Sequence, residues 1–326
     1  MTNIIISFVV GIVVSVILFM VFIPYLHRLK FGQTIRIEGP KEHYKKNGTP
    51  TMGGIVIILG SLITLLVTIF VTKAFEIESL KNIFLLLFPF IGYGLLGYLD
   101  DYLIIVKKNN QGVKPRIKFM LMLVLAGIYY YIYLSLGMPN TLNIFGKTID
   151  LGFLYGIFIL LFIAAVTNAV NITDGIDGLA GGLIVIALIS LAGLAYYQDQ
   201  KLTLAFILSL IATVLGFMIF NVNPASIFMG NTGSYALGGA LAAIAIVLKV
   251  EMLMLVIGIV FVIETLSVIM QVYYFKITKG KRIFKMAPLH HHFELSGYSE
   301  WQIDFIFWSV GIFFGIIGLV MGVKLF

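Results

Sequence analysis

The sequence predicts an all-α, polytopic membrane protein of about ten transmembrane helices. Three observations lead there. Of the 326 residues, 60% are hydrophobic and only 11% are charged, whereas soluble domains carry about 25% charged residues. The mean hydropathy is +1.05, too high to cover a water-facing surface. The apolar residues also form continuous runs, each near the roughly 20 residues that cross hydrocarbon as a helix, rather than the alternation of a membrane barrel.

The first run, MTNIIISFVVGIVVSVILFMVFIPYL, has no basic segment ahead of it and no small-residue cleavage site, and it exceeds a signal-peptide core. A retained first span is expected over 3–26. Further spans fall at 53–72, 82–101, 118–136, 151–169, 179–197, 202–220, 234–249, 251–275 and 303–325. No solenoid repeat or low-complexity tract divides them, so residues 1–326 read as a single integral-membrane domain. The absence of cysteine excludes disulfide and thiolate chemistry.

Orientation follows from the basic residues. Most of the 22 Lys and Arg fall in connectors after odd-numbered spans: Arg28 to Lys46, Lys107 to Lys118, and Lys276 to Lys285. Basic loops stay inside, which makes those connectors cytoplasmic and puts both termini outside. The net charge of +7 is therefore a topology signal and not a sign of nucleic-acid binding.

The polar motifs sort to the same side. HYKKNGTPTMGG, YLDDYL, NAVNITDGIDGLAGG, FMGNTGS and MAPLHHHFE all lie in or beside the connectors read as cytoplasmic. Asp100 and Asp101 are expected to end the third span, where a helix carries partial negative charge and two carboxylates call for a cation. Mg²⁺, a hard ion with oxygen ligands, suits them; a base with raised pKa and a plain water-boundary pair are the alternatives. Asn168, Asn171, Asp174 and Asp177 recur every third residue, a spacing that keeps polar groups near one helix face. Carboxylates exposed to lipid are expensive, so that stripe should face the bundle interior. A simple polar turn is the other reading.

NGTPTMGG and GNTGS each open a helix, where backbone N–H groups beside Gly, Thr or Ser form an anion site or an ordinary cap. Lys45 and Lys46 extend the reach of the first. His290, His291 and His292, followed by Glu294, offer imidazolium to phosphate or a proton relay; zinc fits less well for want of other soft ligands, and a solvated loop is the bland alternative. Phe228 either stacks on a nucleobase or packs in the interior. His27 and His43 read as surface residues.

Together these motifs resemble the polyprenyl-phosphate N-acetylhexosamine-1-phosphate transferase superfamily, and within it the phospho-N-acetylmuramoyl-pentapeptide transferase family. GTPTMGG, LDDYL, NAVNITDGIDGLAGG and PLHHHFE carry the resemblance, which spans the whole chain. It implies transfer of phospho-MurNAc-pentapeptide from UDP-MurNAc-pentapeptide to undecaprenyl phosphate, giving lipid I and UMP with Mg²⁺ as cofactor, in the bacterial cytoplasmic membrane. A homodimer is left open.

By the same resemblance, Asp100, Asp101, Asn231 and His290 are catalytic: Asp100 as base toward the lipid phosphate, or as nucleophile in a two-step scheme, and Asp101 in support of the metal and lipid phosphate. Asn231, Asn168, Asp100 and Asp101 would hold the metal. Lys46, Thr51, Asn171, Asp174, Asp177, Phe228 and Gln271 would line the nucleotide-sugar pocket. Lys108 and Lys118 would meet phosphates, and His291 and His292 would bind substrate. One position departs: the family has Asp where FMGNTGS has Asn231, so a negative charge is missing and reduced or absent activity becomes a rival reading. A sister enzyme loading GlcNAc-1-phosphate, a secondary transporter and an inactive scaffold are the other rivals.

Overall fold

A computed structural model describes residues 2–28, 46, 48–72, 79–107 and 112–325. Among these, ten helices are long and apolar enough to cross a membrane: α1 (Thr2–Arg28), α2 (Gly54–Thr72), α3 (Ser79–Lys107), α4 (Pro115–Ser135), α5 (Phe153–Thr173), α6 (Leu179–Tyr197), α7 (Lys201–Asn221), α8 (Gly230–Val247), α10 (Ile259–Ile277) and α12 (Glu300–Leu325). Two short helices, α9 (Met254–Ile257) and α11 (Leu289–Glu294), complete the set. The all-α membrane fold is as expected.

Most boundaries differ from the sequence reading by a few residues, and three differences change the architecture. First, α3 runs on to Lys107, so Asp100 and Asp101 lie inside it rather than at its end. The apolar run stops at the acids, but nothing in YLIIVK breaks a helix, and a helix need not end where its hydrocarbon-length segment does. Second, α8 begins at Gly230, four residues early, because GNTGS is itself helical. Third, the ninth span is split at Gly258 into α9 and α10.

The connector after α4 folds into a hairpin of β1 (Thr141–Ile144) and β2 (Lys147–Asp150), paired antiparallel with Ile144 opposite Lys147. Phe145 and Gly146 turn it with φ of 46° and 92°, the positive-φ pair that a two-residue hairpin turn requires.

Helix α8 is the axis of the bundle, with almost every side chain buried; α3, α5 and α2 pack around it. Small residues permit the close approach, as is general for membrane helix pairs. A Cβ on Gly97 of α3 would collide with the Asn231 carbonyl, and one on Gly54 of α2 with the backbone of Gly233. These contacts bring α2, α3 and α5 together around the first turn of α8.

Candidate active site

The first turn of α8 is capped from another helix. Asp101 Oδ1 accepts the Asn231 N–H at 3.0 Å, and Oδ2 accepts the Thr232 N–H at 2.9 Å and the Thr232 hydroxyl at 2.7 Å. The free N–H groups of a helix start attract anions, and here a buried carboxylate fills that role. Both oxygens of Asp101 are thereby engaged.

Asp100, its neighbour, points the other way into a polar chain. Its Oδ2 lies 2.5 Å from Lys118 Nζ and accepts from Asn231 Nδ2 at 2.8 Å; its Oδ1 accepts the Val113 N–H at 2.7 Å. Asn231 Oδ1 accepts in turn from Asn171 Nδ2 at 2.8 Å, and Asn171 also donates to Ser234 Oγ at 2.9 Å. Lys118 Nζ stands 5.7 Å from the Tyr235 ring. Gly112 is needed beside this carboxylate, since a Cβ there would collide with Asp100 Oδ1.

The three-residue ladder divides. Asn168 and Asn171 ride the last turns of α5, Asp174 is the C-cap of that helix, and Asp177 lies in the turn that Gly178 closes with φ of 81°. Asn171 therefore faces Asn231, whereas Asp177 faces Lys46, whose Nζ is 2.8 Å from its Oδ1. Asp174 sits between them, partly buried; burial, then the charges of Asp101 and Asp177, push its carboxyl up to about 7. Thr51 is buried beside Gly230, and the Phe228 backbone pairs with Pro50 and Gly53, which sets the 50–53 segment against the entry to α8.

The histidines form the short helix α11 rather than an open loop. His290 is fully buried. Its Nδ1 is 3.1 Å from Glu264 Oε2, and Glu264 also accepts the backbone N–H groups of Leu289 and His290 at 2.9 and 3.1 Å. Its Nε2 carries no hydrogen bond and abuts Gly175, where a Cβ would collide with it. His291 pairs with Glu294 at 2.6 Å, and His292 Nδ1 accepts the Lys285 N–H at 3.1 Å. Gln271 is spent on its own loop: it donates to the Phe284 carbonyl and accepts the N–H groups of Ile283 and Phe284.

The residues of interest thus gather at one end of the bundle: Asp100, Asp101, Asn231, Asn171 and Lys118 in one group, Lys46, Asp177, Asp174, Thr51 and Phe228 beside it, and His290 against the Asp174–Gly175 turn. Asn168 is exposed on the wall of an adjoining cavity. Gln271, His291 and His292 turn to local partners. Lys108, Lys45 and His43 lie outside the described residues, and His27 is exposed, as expected. Among the described residues no three His, Asp or Glu side chains gather in a way that could hold a metal.

A cavity of about 550 Å³ lies between α4, α5, α8 and α10. Phe119, Met122, Leu161, Ala164 and Ala165 make it apolar, and Lys118, Asn168 and Asn171 make its polar part. Phe119 and Leu161 are exposed on the outside of the bundle. An apolar space thus adjoins Lys118, the partner of Asp100.

Sequence reading overlooked Glu264, Glu300 and Asp304. A signal was available for Glu264: a lone carboxylate within the apolar run VIETLSV is costly unless it has a function.

Fold and site together define a polytopic membrane protein with a carboxylate–amide–lysine centre beside an apolar cavity, a class suited to joining a lipid anion to a soluble one. The model of glycosyl transferase family 4 matches residues 83–249, from α3 to just past α8. The phospho-N-acetylmuramoyl-pentapeptide-transferase signature 1 matches residues 46–58. Relatives are similar along almost the whole length. The phospho-N-acetylmuramoyl-pentapeptide-transferase of Geobacillus thermodenitrificans is 50% identical over 322 residues, 98% of each chain. That of Bacillus licheniformis is 49% identical over 321 residues, again 98% of each, and that of Bacillus subtilis is 48% identical over 317, covering 97% of this chain and 96% of its own. The chain belongs to the phospho-N-acetylmuramoyl-pentapeptide-transferase family, within glycosyl transferase family 4.

Proposed function

We propose that this chain transfers phospho-MurNAc-pentapeptide from UDP-MurNAc-pentapeptide to undecaprenyl phosphate, releasing UMP and leaving lipid I in the membrane. The observation that carries the reading is Asp100: it is paired with Lys118 at the edge of an apolar cavity and linked through Asn231 and Asn171 to the turn bearing Asp174 and Asp177.

Phosphoryl transfer depends on positioning and on offsetting charge, because two anions must meet. The polyprenyl tail lies along the apolar wall of Phe119, Met122 and Leu161, and the lipid phosphate meets Lys118. Asp100, within hydrogen-bond reach of that lysine, takes the proton as the lipid phosphate oxygen attacks the sugar-side phosphorus. The bond between the two phosphates breaks, and UMP leaves. Lys46, Asp177, Thr51, Asp174 and Phe228 hold the nucleotide end, and His290 offers its free Nε2 beside Gly175. Asp101 acts by fixing the start of α8 and hence Asn231.

The donor set fits Mg²⁺ in a weakened form. Asp100, Asp101 and the amide oxygens of Asn231 and Asn168 are hard oxygen ligands of the kind that ion accepts, and each aspartate already accepts three hydrogen bonds that a bound ion would share. When bound, the ion supplies charge neutralisation at the diphosphate. Asn231 adds no negative charge and already donates to Asp100, which favours a second reading: a family member of low activity.

The basic connectors support a site on the cytoplasmic side of the bacterial inner membrane, with both termini outside and one domain throughout. The test is UMP release from membranes containing the chain and undecaprenyl phosphate. UMP should appear with UDP-MurNAc-pentapeptide and not with UDP-GlcNAc. The opposite preference favours a sister GlcNAc-1-phosphate transferase.

A further inference from the structure

One face of α12 follows the turn between α5 and α6 residue by residue. Glu300, Asp304 and Trp308 are spaced four apart and share that face. Glu300 Oε2 accepts the Asp177 N–H at 3.1 Å. Asp304, fully buried, lies against Gly178, where a Cβ would stand 3.1 Å from its Oδ2. Trp308 Nε1 donates to the Leu179 carbonyl at 3.3 Å, and its ring fills the space over Gly182.

Lys46 is held by the head of this helix. Its Nζ lies 2.7 Å from each oxygen of Glu300 and 2.8 Å from Asp177 Oδ1. The other Asp177 oxygen accepts from Asn223 Nδ2 at 3.1 Å and the Ala225 N–H at 3.0 Å. Two carboxylates, Asp177 and Glu300, thus hold one ammonium, and neither oxygen of Asp304, buried against Gly178, has a hydrogen-bond partner. Among the described residues, Glu300 alone ties both the lysine and the Asp177 backbone to a rigid element.

Given the functional reading above, on which this rests, we propose that Glu300 is a positioning residue for the nucleotide: it fixes Lys46 and the Asp177 turn so that together they present one preset end of the pocket. A lysine on a four-carbon stem has many conformations. One carboxylate partner leaves it free to swing, whereas two on different elements hold it at one point. The Asp100 group shares no hydrogen bond with Glu300, so the expected effect falls on the nucleotide end. Asp304 and Trp308 seat the helix that carries Glu300.

The test uses purified full-length protein with UMP as probe and both substrates in turnover. Glu300→Gln should raise the Kd for UMP and the KM for the nucleotide sugar about tenfold, the loss of one charged hydrogen-bond partner. Saturating kcat and the KM for undecaprenyl phosphate should stay unchanged. If Glu300→Gln folds poorly, as judged by its melting temperature, Glu300→Asp, which keeps the charge one methylene back, should show the same one-sided rise at smaller size. Unchanged or tighter UMP binding overturns the proposal, and so does an equal loss in both KM values. Wild-type protein that neither binds UMP nor turns over the muramoyl nucleotide overturns the functional reading itself and this inference with it.

Discussion

Asp101 caps a helix to which it does not belong: its Oδ2 accepts both the backbone N–H and the hydroxyl of Thr232, 131 residues away. The start of α8 and the middle of α3 are thereby fixed to each other, and Asn231 is held one residue from the cap. Asp100 can then face the amide of Asn231 at 2.8 Å. The two adjacent acids have different partners: Asp101 holds the start of α8, and Asp100 meets Lys118, Val113 and the side chain of Asn231.

Asp101→Asn should therefore act on stability first. The amide retains one acceptor but places an NH₂ toward backbone donors, leaving buried groups unmatched, at a cost of about 1–3 kcal/mol. Thermal melting in detergent should show the loss. A melting temperature equal to wild type would mean that Asp101 is not the cap of α8.

Asn231→Asp places a carboxylate opposite Asp100. Two like charges at hydrogen-bond distance repel and call for a divalent ion. UMP release should rise and saturate at lower Mg²⁺. The variant without added Mg²⁺ should melt below wild type, because the hydrogen bond from Asn231 Nδ2 to Asp100 is gone. Identical Mg²⁺ titrations for the two proteins would remove position 231 from the metal site.

Asp174 carries a pH signature. Its carboxyl holds a proton up to about 7, where a free aspartate ionises near 3.8. Between those values the folded state binds more protons than the unfolded chain, so stability falls as pH rises from about 4 to about 7. Asp174→Asn removes that slope. The variant should gain on wild type as pH rises, by about 1–2 kcal/mol at pH 8 after allowance for partial solvent exposure. Melting curves at pH 5 and pH 8 measure it; equal differences at both would show that Asp174 ionises normally.

The far end of the bundle has a buried latch of its own. Lys249 donates to the Tyr133 and Tyr155 hydroxyls and to the carbonyls of Pro139 and Thr141, which ties the hairpin to α8, while Tyr155 donates to the buried Glu251 at 2.5 Å. Burial lowers Lys249 to about 8 and raises Glu251. Lys249→Met should cost about 3–5 kcal/mol, because Glu251 is left buried without its cation. Adding Glu251→Gln should recover part of the loss, and neither change should alter the KM for the nucleotide sugar. Melting temperatures of the single and double variants decide it; equal losses in both would mean that the pair is not coupled.

The spans were legible because each apolar run is continuous and near membrane length, and turn residues such as Gly178 mark the breaks. The polar motifs were legible because Asp-Asp, NAVNITDGIDG and HHH are out of place in so apolar a chain. Their partners were not. The pairing of Asn231 with Asp100 and Asn171 joins segments 131 and 60 residues apart, and no local pattern encodes which of several polar groups will meet. Nothing in LDDYL announces that Asp101 accepts three hydrogen bonds from the start of α8. Nor does the sequence around Gln271 announce its hydrogen bonds to Ile283 and Phe284. Glu264 passed unnoticed within a hydrophobic run, although its cost there was itself the clue.

Under the proposed function, Asp100 and not Asp101 serves the lipid phosphate held by Lys118. The most direct test of that assignment is the rate of UMP release by Asp100→Asn in folded protein, with undecaprenyl phosphate and UDP-MurNAc-pentapeptide saturating. Turnover should fall by about 10²–10⁴-fold, the usual contribution of a positioned acid–base group, with UMP binding near wild type and a melting temperature lowered by the loss of the buried pair with Lys118. Turnover within a few-fold of wild type would contradict it.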